Sequence, residues 1–141
     1  DKNINLTSCD WHVIDAKKEY WEYSKNDIHD HVSQVAKDLD FSKWSIGDYW
    51  YQYYKEGDFH DWHVHGNCMF VGVYYVKLNG NHPKILFRWG GKEYLVPVEE
   101  GDIITFPSFL HHKAPENCPE RPGTPRDICD ASANRGLDES N

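Results

Sequence analysis

The sequence lacks any long hydrophobic run. Its longest mainly apolar stretch, residues 68–76, is far shorter than the roughly 20 residues that a helix needs to cross a bilayer. The first residues, Asp1-Lys2-Asn3, do not resemble the charged and apolar regions of a signal peptide. We therefore expect a soluble, cytoplasmic protein that does not act at a membrane.

Cysteine and basic residues are also scarce. The four cysteines form no C-x-x-C pair, which argues against a thiolate zinc site or a redox motif and favours a reducing compartment, with two disulfides as the alternative. Lys and Arg total 15 against 23 Asp and Glu, so the net charge is -8, and no local basic patch offsets it. Such a chain repels phosphate backbones, and we expect no nucleic-acid partner.

What is present suffices for one folded domain. The 141 residues are 39% hydrophobic and 15% aromatic, which excludes a disordered chain, and the length excludes a second catalytic domain. No internal repeat or low-complexity segment interrupts the chain. We predict a single domain over residues 1–141, with a helical part over residues 1–43, a β part over residues 44–134 and a tail over residues 135–141.

Helical periodicity is confined to the N-terminal part. Over residues 26–40 the apolar residues fall three or four apart, which places them on one face of a helix. They are Ile28, Val32, Val35 and Leu39. Asn26 or Ser24 is the expected N-terminal cap, and residues 14–23 form a weaker helix candidate.

Aromatic and β-branched runs, separated by Gly, Asn and Pro, predict strands in the remainder. The predicted strands are residues 49–55, 62–65, 69–78, 84–89, 92–98, 102–106 and, less clearly, 128–133. Turn signals stand at Asn79-Gly80-Asn81, Gly90-Gly91 and Glu100-Gly101-Asp102. Because no helices separate these strands, we expect an antiparallel sandwich or barrel with the N-terminal helices packed on one outer face.

Histidines form the candidate chemical site. Of the nine in the chain, His63 and His65 stand two apart in a predicted strand, so both side chains leave the same face and could bind one metal ion. His111-His112 is the source of a third ligand, but adjacent side chains in an extended segment point in opposite directions. We therefore predict that at most one of these two faces the metal.

Three segments, taken in their order along the chain, carry a family resemblance. Residues 54–65 (YKEGDFHDWHVH) are similar in spacing to the tyrosine, glycine, tyrosine, His-x-Asp signature of prolyl 4-hydroxylase-like enzymes, and residues 72–76 and 100–112 resemble later strands of that family. The resemblance spans about residues 44–134 and is closest to the small forms found in marine phages and bacteria. It implies a mainly β double-stranded β-helix, or jelly roll, the fold also found in cupins. It further implies an iron(II)- and 2-oxoglutarate-dependent dioxygenase that uses O₂ to hydroxylate a C–H bond of a small molecule or peptide, in the host cytoplasm if the protein is viral.

The resemblance also assigns roles to individual residues. His63, His65 and His112 correspond to the metal-binding and catalytic positions, and His111 becomes a bystander. His65 stands where the family usually carries Asp, so the metal would gain one less negative charge and its higher oxidation states would be less stabilised. Asp61 is a weak alternative as a carboxylate ligand.

Other positions correspond to the family's cosubstrate pocket. Arg126 fits the place of the cation that binds the far carboxylate of 2-oxoglutarate, with Arg121 as the alternative. Tyr54 corresponds to a tyrosine that hydrogen-bonds the cosubstrate, and Tyr75 is expected to line the same pocket. His60 takes the place of the second tyrosine and is expected just behind the ligands.

A cupin pattern competes for the same residues. Gly57 stands six residues before His63, and Gly101 stands six before Pro107, as in cupins, but the cupin glutamate after the first histidine pair is missing. This leaves two alternatives open: a cupin-like three-histidine metalloprotein that does not use 2-oxoglutarate, and a non-catalytic binding or structural jelly roll. The oligomeric state is not predicted.

Overall fold

Short antiparallel strands dominate the fold. The computed structural model describes residues 3–13, 17–78 and 84–117. Within them the elements, in chain order, are β1 (Ile4–Asn5), β2 (Ser8–Cys9), α1 (Tyr20–Asp38), β3 (Gln52–Tyr53), β4 (Phe59–His63), β5 (Phe70–Tyr74), β6 (Leu86–Trp89), β7 (Lys92–Leu95), β8 (Ile103–Pro107) and β9 (His111–Ala114).

Every strand pair in these ranges is antiparallel. The largest sheet has the order β1-β4-β9-β6-β7, a second sheet joins β5 to β8, and a small third one joins β2 to β3. The mainly β, antiparallel character predicted from the sequence is therefore confirmed.

The core lies between the five-stranded sheet and the β5–β8 sheet. The rings of Phe87 on β6 and Phe106 on β8 meet edge to face, with their centroids 4.8 Å apart. Both side chains are buried, and Ile85 joins them. Partly buried apolar side chains extend this contact: Val71, Val73, Val96, Ile104 and Leu110. Side-chain alternation explains the arrangement, because every second residue of each strand points toward the facing sheet.

Helix α1 packs on the other face of the β5–β8 sheet. His31 and Thr105 are hydrogen-bonded, with 2.8 Å between Nε2 and Oγ1, and the Tyr74 hydroxyl donates to the Asp27 carboxylate at 2.7 Å. Thr105 neighbours the buried Phe106 in β8, so its side chain leaves the opposite face of the strand. The sequence predicted several N-terminal helices, but the described residues form one helix, α1.

The helix begins earlier than the sequence pattern suggested. Its first residue is Tyr20, its N-cap is Glu19, and no side chain caps it. Ser24, expected as a cap, lies inside the helix and donates its hydroxyl to the Tyr20 carbonyl one turn back. Asn26 lies inside the helix as well. The cap prediction was therefore wrong, because both residues have helical neighbours on their N-terminal side.

The helix ends close to the predicted position. Asp40 adopts a left-handed conformation with φ 59°, and the amide of Phe41 donates to the Ala36 carbonyl at 2.8 Å. This is the hydrogen-bond pattern of a Schellman motif, which satisfies carbonyls that the last turn leaves unpaired.

Several strands differ from their predicted extents. The aromatic run 49–55 forms only the two-residue β3, which pairs only with the equally short β2 among the described residues. The strand predicted at 62–65 is β4, shifted toward the N-terminus, and β1, β2 and β9 were not predicted. β1 and β2 lie in residues 1–43, the part predicted to be helical.

Some predictions fall outside the described residues. They are the strand at 128–133, the turn at 79–81, the tail at 135–141, and both arginine positions, Arg126 and Arg121. Among the residues that are described, no helix combines the length and the apolar character needed to span a membrane.

Candidate metal centre

Strand register brings two histidines to the same face of the five-stranded sheet. His112 on β9 lies opposite His63 on β4 and opposite Phe87 on β6. Directly opposed residues of antiparallel strands point to the same side, so both imidazoles share the core face with Phe87. His112 is only 5% exposed. His111 lies opposite Arg88 instead, and it is exposed on the outer face.

A β-bulge brings in a further histidine. His60 pairs with Ala114, whereas His63 pairs with His112, so β4 carries one residue more than its partner between these points. Residues three apart in a regular strand point to opposite faces, and the extra residue reverses that parity. The His60 and His63 rings consequently stack, with centroids 3.6 Å apart and planes only 7° from parallel.

His65 joins the cluster from just beyond the end of β4. Its amide donates to the carbonyl of Ser108 at 3.0 Å, which fixes it beside the turn that connects β8 to β9. Its Nε2 lies 3.2 Å from Nε2 of His112. One ring nitrogen from each of His63, His65 and His112 lies within 4.8 Å of the other two. The predicted convergence of three histidines is thus present.

Backbone carbonyls set the tautomers of two of these imidazoles. Nδ1 of His63 lies 2.7 Å from the Asp61 carbonyl, and Nδ1 of His112 lies 2.9 Å from the Leu110 carbonyl. A carbonyl can only accept, so in each neutral ring Nδ1 carries the proton and donates it. Nε2 of both rings therefore offers a lone pair, which is how histidine ligands are commonly held in metal sites.

The separation of the His65 and His112 nitrogens suits a transition-metal ion. At a bond length of about 2.1 Å, two imidazole nitrogens on one ion lie about 3.0 Å apart at a right angle and about 3.4 Å apart at the tetrahedral angle. The separation of 3.2 Å between the His65 and His112 nitrogens falls between these values. The three residues could hold one metal ion.

Burial keeps the cluster uncharged at neutral pH. Desolvation, together with neighbouring histidines, lowers the pKa of His112 to about 4, against the opposing effect of the Leu110 carbonyl. Desolvation likewise lowers the pKa of His60 to about 4 and lowers the pKa of His63 and of His65. Neutral imidazole is the form that binds metals, so the cluster needs no proton release to accept an ion at pH 7.

No carboxylate belongs to this cluster among the described residues. Asp61, the weak alternative ligand, is exposed, and its carboxylate accepts the Trp62 amide at 2.7 Å. Asp61 contributes to the cluster through its main chain, because its carbonyl accepts the hydrogen bond from Nδ1 of His63.

The two tyrosines of the predicted cosubstrate pocket lie close to each other. Tyr54 donates its hydroxyl to the Gln52 side chain at 3.0 Å, and burial, together with the neighbouring Tyr75, raises its pKa. Tyr75 is buried, and desolvation raises its pKa to about 12. Both phenols therefore remain protonated donors at neutral pH. Arg126 and Arg121 lie outside the described residues.

Sequence patterns did not predict the apolar groove beside the cluster. The groove has a volume of about 680 Å³. Its walls are Phe87, Trp89, Tyr94, Val96, Ile104, Thr105, Phe106, Pro107, Phe109 and Leu110. Phe106 is shared with the metal centre, since its ring meets that of His112 with centroids 4.7 Å apart. Trp89 and Phe109 are 61% and 62% exposed at the groove, and such exposure cannot be read from a hydrophobic pattern.

Comparison with known proteins gives no relative from which a function could be transferred. No protein-family model, no curated protein and no solved structure matches the chain significantly. The assignment therefore depends on the three-histidine cluster and its surroundings.

Proposed function

We propose that the protein is an iron(II)- and 2-oxoglutarate-dependent dioxygenase that hydroxylates a C–H bond of a small-molecule or peptide substrate. The observation that carries this proposal is the convergence of His63, His65 and His112, with nitrogens within 4.8 Å of one another. These three residues would hold the iron, which would supply the oxygen chemistry that side chains lack.

The order of the strands supports a jelly roll as the framework. β4, β9, β6 and β7 share one sheet, while the intervening strands β5 and β8 pair in the sheet that faces it. The chain thus passes from one sheet to the other before and after β5 and again before and after β8, while β6 and β7 form a hairpin within the larger sheet. Passage between two packed sheets is also a feature of the double-stranded β-helix. In such a framework the histidines after β4 and at the start of β9 meet at one end of the core.

The surroundings of the cluster define what this chain contributes. The Asp61 and Leu110 carbonyls accept the Nδ1 protons of His63 and His112, so Nε2 of each ring keeps its lone pair for a metal ion. The Phe106 ring covers one side of His112 and excludes water there. Three neutral imidazoles leave the charge of a divalent ion uncompensated, which favours an anionic chelator. 2-Oxoglutarate is such a chelator.

The remaining residues of the proposal bind the cosubstrate. Arg126 would form a bidentate ion pair with its far carboxylate, with Arg121 as the alternative anchor. Tyr54 and Tyr75, both protonated at neutral pH, would donate hydrogen bonds to it.

A cupin-like metalloprotein that does not use 2-oxoglutarate is the second candidate. The all-histidine composition of the cluster favours it, because the oxygenases that the sequence resembles usually pair two histidines with a carboxylate. In this case the same three residues hold the metal, and Arg126 has no part in binding.

An anaerobic titration with iron(II) and 2-oxoglutarate distinguishes these functions. We expect a visible metal-to-cosubstrate charge-transfer band that is lost in Arg126→Ala. His112→Ala should lose metal binding, whereas His111→Ala, changed at the exposed neighbouring position, should retain both metal and band.

Each other outcome supports a different reading. Metal binding without a band supports the cupin-like protein. If the unchanged protein binds no metal, both metal-dependent functions are wrong, and the apolar groove then favours a non-catalytic protein that binds a small apolar molecule.

A further inference from the structure

His60 lies in the histidine cluster, yet its geometry excludes it as a ligand of the same ion. Its ring is stacked face to face on that of His63, with planes 7° from parallel. The lone pair of an imidazole nitrogen lies in the plane of its ring. Two nearly parallel planes do not converge near the rings, so an ion bound in the plane of His63 lies outside that of His60.

We propose that His60 is a positioning residue that fixes the orientation of His63 for metal binding. This inference rests on the metal binding proposed above and not on the use of 2-oxoglutarate. His63 is held at its edge by the hydrogen bond from Nδ1 to the Asp61 carbonyl, two residues back in the same strand. The His112 ring contacts that of His63 at an angle, with centroids 4.1 Å apart and planes 57° from parallel. The stacked His60 ring is the partner that covers a face of His63, and it restricts tilting about the edge hydrogen bond.

His60 is itself fixed from several sides. Its backbone pairs with Ile4 of β1 on one side and with Ala114 of β9 on the other. The ring of Trp11 lies 6.0 Å from its ring, centroid to centroid. The N-terminal segment therefore supports His60, and His60 supports His63.

The β-bulge is what makes this contact possible. Without the extra residue between His60 and His63, side chains three apart would point to opposite faces of β4. Bulges often redirect a side chain beside a functional site, and here the redirected side chain is the one that covers the face of a ligand.

Stacking also suits the charge of the loaded centre. A divalent ion withdraws electron density from the His63 ring, and the face of an uncharged aromatic neighbour attracts positive charge. An aromatic ring at position 60 should therefore favour the bound state, whether or not it is an imidazole.

The test compares His60→Phe with His60→Ala, with Co(II) as the probe. Co(II) affinity is measured by competition with a chromophoric chelator, and the visible absorption of bound Co(II) reports the geometry of its ligands. Substitution of a residue that supports a metal ligand typically lowers the metal affinity 10- to 100-fold. We expect His60→Ala to bind Co(II) at least about 10-fold more weakly with a shifted spectrum, and His60→Phe to retain the affinity and spectrum of the unchanged protein.

His111→Ala is the matched control, because it removes an exposed histidine next to a ligand. Thermal unfolding of the metal-free variants separates a loss of folding from a loss of metal. If His60→Ala does not fold, His60→Phe still decides, because a folded His60→Phe that binds Co(II) at least about 10-fold more weakly than the unchanged protein overturns the role of the stacked ring. Unchanged affinity in a folded His60→Ala overturns this inference alone, whereas an unchanged protein that binds no Co(II) overturns the metal site as well.

Discussion

At the residue scale, the carboxylate of Asp58 anchors the start of β4, the strand that carries His60 and His63. Asp58, in the turn before β4, is buried and accepts the amide and the hydroxyl of Thr7, at 2.8 and 2.5 Å, and the amide of Lys55 at 2.8 Å. Burial alone would raise the pKa of its carboxyl, but these hydrogen bonds outweigh burial and lower the pKa. One carboxylate thus joins the N-terminal segment to the start of β4.

Replacing this carboxylate should cost substantial stability. Asp58→Ala leaves three donors without their acceptor, and we expect the free energy of unfolding to fall by about 3 kcal/mol in urea denaturation. Asp61→Ala removes an exposed carboxylate three residues away and should change it by less than about 0.5 kcal/mol. Equal effects of the two substitutions would contradict the anchoring role of Asp58.

At the scale of elements, the sequence predicted features that depend on local patterns. The spacing of His63 and His65 placed two histidines together, and Gly90-Gly91 marked the turn between β6 and β7. It could not predict β9, because the sequence of His111–Ala114 has no alternation of apolar residues and its pairing is decided by distant strands on both sides. The bulge in β4 was missed for the same reason, since register belongs to a pair of strands.

The β6–β7 turn gives a prediction for an element that forms part of the groove. Gly90 and Gly91 have φ of 58° and 75°, as a two-residue type I′ turn requires. A side chain at Gly91 costs roughly 1–2 kcal/mol in this conformation, so Gly91→Ala should lower the urea midpoint accordingly. Gly47→Ala is the matched control, because Gly47 has no positive φ and nothing lies within 4 Å of an added methyl group. A midpoint that falls equally in both variants would show that backbone conformation at the turn is not the cause.

At the scale of the whole molecule, the fold keeps the histidines of the cluster in their neutral form. His112 is buried and the other histidines of the cluster are partly buried. Desolvation penalises the imidazolium and lowers the pKa of His60 and of His112 to about 4. In the unfolded chain the same groups have a pKa near 6.5. Folding and proton binding are therefore opposed, and stability must depend on pH.

The direction of that dependence follows from proton linkage. Between about pH 6.5 and 4 the unfolded chain binds protons that the folded cluster rejects, so the free energy of unfolding of the metal-free protein should decrease as the pH falls through this window. Each such histidine contributes a slope of up to about 1.4 kcal/mol per pH unit. Above pH 6.5 these histidines are neutral in both states, and the free energy of unfolding no longer depends on them.

Urea denaturation at several pH values with a chelator present measures the slope, which should be shallower in His112→Phe and unchanged in His111→Phe. A metal ion at 100 times its Kd should add about 2.7 kcal/mol at pH 7, and this gain should shrink on acidification because protons compete for the same nitrogens. Identical slopes in the two variants would mean that the buried histidine does not set the acid sensitivity of this fold.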